Sequence, residues 1–157
     1  MKKTIIVIAS IILILSLNKE VTKEEEMIRF RIIANSNSEI DQTTKRKIIK
    51  SISKTLFEKT PKTKEEEKTY LLEKLPTFEE KIKETTDNYT INYGLNYFPK
   101  KEYQGKTYEA GEYESLVITL GEGLGDNFWC ILYPPLCVLD EEVEYKSFIK
   151  EALSKLF

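Results

Sequence analysis

Tyr89-Thr-Ile-Asn-Tyr-Gly-Leu-Asn-Tyr97 alternates apolar and polar residues without a break. On an extended chain Tyr89, Ile91, Tyr93, Leu95 and Tyr97 fall on one side, and Thr90, Asn92, Gly94 and Asn96 on the other. A period of two predicts a strand with one buried face. Toward the N-terminus the period changes. Lys64 to Leu75 carries Tyr70, Leu71, Leu72 and Leu75 at helical spacing, Pro76 is expected to interrupt the run, and Thr77-Phe-Glu-Glu80 restarts a helix. Before Pro61, Ile48, Ile49, Ile52 and Leu56 form the core-facing stripe of a helix that begins at Ser38, with Asp41 three residues on, and runs to about Glu58.

Farther out, Met27-Ile-Arg-Phe-Arg-Ile-Ile-Ala34 reads as a first strand, with Ile28, Phe30 and Ile32 on one face and Arg29 and Arg31 on the other. Toward the C-terminus, Pro99-Lys-Lys and Gln104-Gly105 mark turns, and Glu114–Leu120 and Phe128–Tyr133 are further strands. Tyr145, Phe148, Ile149, Ala152, Leu153 and Leu156 recur as one face of a last helix. Strand, helices, clustered strands and helix is an α+β order: an N-terminal strand, a helical middle, a mostly antiparallel sheet and a C-terminal helix. It occupies residues 27–157 as one domain.

Residues 1–17 are different in kind. Lys2-Lys3 precedes 14 uncharged residues, Thr4 to Leu17, which as a helix would reach roughly 21 Å, short of a bilayer's roughly 30 Å core. A basic start before such a run is the pattern of a signal peptide. No pair of small residues marks a cleavage point, so the segment serves as a signal peptide or as an N-terminal membrane tether, and its lysines place the body outside the cytoplasm. Residues 18–26 are a polar linker. Without Lys2 and Lys3 the chain keeps 22 basic against 26 acidic residues, a net charge of −4. An acidic body attracts neither nucleic acid nor anionic lipid, so membrane contact is expected only through the N-terminal segment.

The 157 residues include no histidine. That excludes Ser-His-Asp and Cys-His constellations and His-based zinc sites, and no catalytic residue, metal or cofactor is expected. Asn35, Asn37, Glu39 and Asp41 have the alternate spacing of a calcium loop, but Ile40 stands where that loop needs Gly and Arg46 where it needs Glu. Turn formation and helix capping account for them better. Gly121-Glu-Gly-Leu-Gly125 matches neither phosphate-binding pattern and reads as a hairpin or bulged connection. Glu122 and Asp126 could still form the carboxylate pair of an envelope hydrolase. Cys130 and Cys137 enclose Ile-Leu-Tyr-Pro-Pro-Leu, and two cysteines without histidine suit a disulfide or packed thiols, not zinc. Part of the apolar run Asn127–Leu139 is core. Trp129, Tyr133, Pro134 and Pro135 are also residue types that dominate interfaces.

Arg29-Phe-Arg-Ile-Ile-Ala-Asn-Ser-Asn-Ser-Glu-Ile-Asp-Gln42, the pair Tyr113-Glu114, and Gly121-Glu-Gly-x-Gly-x-Asn-Phe-Trp-Cys-x-Leu-Tyr-Pro-Pro-Leu-Cys-Val-Leu-Asp140 resemble the stage II sporulation protein R family. The chain departs from the pattern at Asn37, often Asp in the family, and at Phe128, often Trp. The resemblance implies an endospore-forming bacterium and a signal, not a catalyst: a protein made in the forespore and exported between the two membranes. There it activates a membrane-embedded aspartic protease of the mother cell that processes pro-sigma-E. Carried over as functional or fold-defining positions are Asn35, Ser36, Asp41, Trp129, Cys130, Pro134, Pro135 and Cys137. Asn35 and Ser36 are expected to flank the proline loop in contacting the protease.

Overall fold

The computed structural model describes residues 27–103 and 105–137. The expected N-terminal segment, the linker and the C-terminal helix lie outside the described residues. The elements are β1 (Ile28–Ile33), α1 (Glu39–Leu56), α2 (Lys64–Lys83), β2 (Tyr89–Phe98), β3 (Lys101–Tyr103), β4 (Lys106–Tyr108), β5 (Gly111–Leu120) and β6 (Asn127–Tyr133). The α+β reading holds.

One four-stranded sheet has the order β2-β5-β1-β6. β2 is antiparallel to β5, and β6 is antiparallel to β1, but β1 runs parallel to β5. The sheet is therefore mixed. β1 lies between β5 and β6, so of the hairpin or bulged connection expected at Gly121–Gly125 a hairpin does not form; residues 121–126 cross the C-terminal end of β1.

Both helices pack on one face of the sheet. Ser38 caps α1 by accepting the Asp41 N–H at 3.2 Å, and Thr63 caps α2 by accepting the Glu66 N–H at 3.2 Å. Ile48, Ile49, Ile52 and Leu56 from α1, with Leu71, Phe78 and Ile82 from α2, meet Ile28, Phe30, Ile32, Leu116, Ile118 and Leu120 in the main core. α2 runs unbroken through Pro76, where an interruption was expected. A proline inside a helix costs about 3 kcal/mol. Phe78 and Ile82, both fully buried beyond it, each contribute about 1.5–3 kcal/mol by leaving water, enough to hold the helix together.

The second face of β1, on which Arg29 and Arg31 were expected, is covered too: Arg29 is buried and Arg31 half-buried. Arg29 has no exposed surface, and its guanidinium lies 3.3 Å from the Tyr113 ring centroid, with Phe98 and Tyr108 within 5.5 Å. Arg31 sits 4.5 Å above Phe98. Stacking on aromatic faces is what allows arginine into an apolar layer. The short β3–β4 hairpin contributes Tyr108 to this layer.

β2 follows its predicted alternation only in part. Tyr89, Ile91 and Tyr93 pack on the core, while Leu95 and Tyr97 are 70% and 62% exposed. Alternation fixes which way a side chain points. It does not fix how far the covering helices reach.

Candidate functional site

Two groups of the singled-out residues occupy opposite ends of β1. At its C-terminal end the chain turns through Asn35-Ser36-Asn37 and meets the glycine loop. Asn35 Oδ1 accepts the Glu122 N–H at 3.0 Å, and Asn37 Oδ1 accepts the Asp126 N–H at 2.6 Å. The backbones add Leu124 N–H to Asn35 O at 3.0 Å and Gly125 N–H to Ala34 O at 2.9 Å. Lys45, nearly buried on α1, donates to Asp126 O at 2.7 Å; burial lowers its ammonium pKa, and the nearby Asp126 carboxylate partly opposes this.

Asp41 fastens the turn from below. Its carboxylate accepts from the Ser36 hydroxyl and from Asn35 Nδ2 at 3.0 Å. Those two hydrogen bonds, Ser36 first, hold it below the usual carboxylate pKa. The glycines are there because the turn is close. A Cβ on Gly125 would lie 2.3 Å from the Ser36 carbonyl oxygen, and Gly121, at φ +56°, would place one 2.2 Å from Asn35 Oδ1. Asn35, Asp41, Thr44, Thr86, Asn88 and Gly121 line a polar groove of about 160 Å³ beside the turn.

At the other end of β1, Tyr133 pairs opposite Ile28. The Tyr133–Pro134 peptide is cis, and Cys130 and Cys137 are joined with Cα atoms 4.9 Å apart. Leu136 N–H returns to Ile131 O at 3.2 Å, closing the loop. Pro134, Pro135 and Leu136 are exposed, while the half-buried Tyr133 donates its hydroxyl to Lys62 O at 3.3 Å. Trp129 lies between the two ends, half-buried edge-on to Tyr108 at 6.3 Å, with Lys101 Nζ 5.8 Å from its ring.

The structure thus joins Asn35, Ser36 and Asp41 to the glycine loop and separates them from Tyr133, Pro134 and Pro135. Six strand residues intervene, roughly 20 Å at about 3.3 Å each. The expected flanking of the proline loop by the Asn35-Ser36 turn does not occur. Sequence reading missed Lys45 and the mutual fit of the two motifs; Asn at 35 and 37 alternating like Gly at 121, 123 and 125 was the available signal. Glu114, noted there only as the start of a strand and in the Tyr113-Glu114 pair, accepts from Lys64 at 2.7 Å, Lys68 at 2.9 Å and Tyr93 at 3.1 Å, partners that sequence reading missed. Burial pushes that carboxyl up, but the lysines outweigh it and the net shift is downward.

Glu122 and Asp126 are exposed, and the loop uses their backbones. Among the described residues, no group of three or more His, Cys, Asp and Glu side chains is placed to hold a metal, and no helix is long and apolar enough to cross a membrane.

What fold and sites define is an α+β domain with one end closed by two interlocking segments and the other ending in a short covalently closed loop. Its sequence matches the family model of stage II sporulation protein R over residues 24–143. It is 39% identical over 163 residues to stage II sporulation protein R of Bacillus subtilis (strain 168), covering 89% of this chain and 73% of that protein. The chain belongs to the stage II sporulation protein R family. No solved structure matches it.

Proposed function

We propose that this chain is an exported messenger of endospore formation, made in the forespore, which activates a membrane-embedded aspartic protease of the mother cell that removes the pro-sequence of sigma-E. The observation that carries this reading is the family match over residues 24–143, which includes the Asn35–Asp41 segment, the glycine loop and the cysteine loop. The basic, apolar residues 1–17 supply export, with or without cleavage.

The contact is made through the closed loop, where Pro134, Pro135 and Leu136 stand in solvent on a stiff backbone that loses little entropy on binding. Three exposed residues bury far less than the roughly 1,200 Å² of a stable interface. The contact therefore extends through Tyr133 to the α1–α2 turn at Lys62. Asn35, Ser36 and Asp41 serve it indirectly, by fixing the opposite end of β1. To activate, the chain must bind the active state of the protease more tightly than the inactive one.

The test is deletion of the gene in a sporulating host, with a sigma-E-dependent reporter in the mother cell. Loss of reporter activity, restored by expression in the forespore alone, is expected; normal activity after deletion would instead fit a structural envelope protein. The hydrolase reading gains no support from Glu122 and Asp126, whose side chains serve no shared site.

A further inference from the structure

Among the described residues β2 presents an open strand edge, and its ten residues carry no charge. It pairs with β5 from Tyr89 to Phe98, and among the described residues no strand lies beyond it. Gly121 N–H donates to Asn88 O at 2.9 Å where this register continues. Even-numbered residues of β2 therefore bond to β5, and the N–H and C=O groups of Tyr89, Ile91, Tyr93, Leu95 and Tyr97 point outward. Proteins usually protect such an edge with charges, proline or a bulge. β2 has none of these: its ten residues include no charge and no proline in a chain that is 32% charged, and its register with β5 is unbroken. Leu95 and Tyr97, the largely exposed pair, stand beside that edge.

We propose that β2 pairs antiparallel with β2 of a second copy of this chain, about a two-fold axis at Gly94. This register sets Leu95 beside Tyr93 of the second copy, Tyr97 beside its Ile91, and Asn92 beside its Asn96. Outward-facing residues meet outward-facing residues, as an antiparallel ladder requires, and apolar side chains fall on one face and polar ones on the other. A second copy is the occupant because the strand complements itself in this register, and no charge on it selects a partner of opposite sign. The inference does not depend on the proposed messenger role.

Across the axis the two Gly94 Cα atoms would be about 4.5 Å apart, within disulfide reach. A Cβ at Gly94 meets nothing nearer than Asn92 Oδ1 at 3.5 Å, so Gly94→Cys fits the fold. The purified full-length Gly94→Cys chain is expected to run at doubled mass without reductant and at single mass with it. Thr107→Cys, exposed on β4, is expected to stay at single mass. Single mass for Gly94→Cys, or equal dimer in both variants, overturns the proposal. Sedimentation of the unsubstituted chain supplies a second reading. A doubled mass lost in Leu95→Lys, with the far-UV circular dichroism of the folded chain unchanged, supports it, and a monomeric unsubstituted chain overturns it.

Discussion

Asn35 Oδ1 accepts the backbone N–H of Glu122, 87 residues away, at 3.0 Å, while the same side chain donates to Asp41 at 3.0 Å. One amide ties the glycine loop to the start of α1. Asn35→Ala removes both bonds and should lower stability by about 1–3 kcal/mol, read as a lower urea midpoint with unchanged slope. Asp41, held below its usual pKa, contributes stability that is present above the ordinary carboxylate value and lost as pH falls through the lowered one. Acid unfolding of Asp41→Asn should be correspondingly less steep; an acid limb identical to that of the parent chain would exclude this role for Asp41.

Gly125 shows how closely the two segments approach. Because the obstacle to a Cβ is the backbone oxygen of Ser36, Gly125→Ala should cost about 1–3 kcal/mol through displacement of the loop. Gly94→Ala, which meets only ordinary contacts, should stay within about 0.5 kcal/mol. Thermal unfolding of the two variants separates a packing requirement from a general loss on adding a methyl group.

Glu67 is only 3% exposed, and burial raises its pKa from the usual value near 4.5 to about 7. Between those values the folded chain keeps a proton that the unfolded chain releases, so stability falls as pH rises through that window. Glu67→Gln should remove this dependence and be more stable than the parent above neutrality, by an amount on the order of 2 kcal/mol. Urea unfolding on either side of the window checks it; equal pH dependence in both proteins would contradict it.

The closed loop yields a separable prediction. Replacing Cys130 and Cys137 by Ser opens a cross-link spanning seven positions and should cost about 2–3 kcal/mol. Pro135→Ser, at an exposed position, should change the unfolding midpoint little and reduce protease activation. Alkylation of the purified protein with and without reductant should label two thiols only after reduction.

Much of this architecture was legible from periodicity, because Ile48, Ile52 and Leu56, or Tyr89, Ile91 and Tyr93, report local geometry that burial then uses. What sequence could not display was reach and pairing. Leu95 obeys the alternation yet lies beyond the helices, Arg29 sits in an aromatic layer assembled from β2, β4 and β5, and Pro76 is carried by the burial of Phe78 and Ile82. The glycine loop reads as a hairpin or bulged connection because it joins consecutive strands; that β1 lies between them depends on contacts made more than eighty residues apart. Of the candidate site residues, Asn35, Ser36 and Asp41 were recognisable as turn and cap chemistry, but their partner loop was not.

The central claim is that this chain switches on a protease and does not itself process the sigma factor. Its most direct test is co-production of the chain, the membrane aspartic protease and pro-sigma-E in a non-sporulating host, with the sigma factor followed by size. The account predicts mature sigma-E when all three are present and unprocessed precursor when this chain is omitted. Equal processing with and without it would contradict the account.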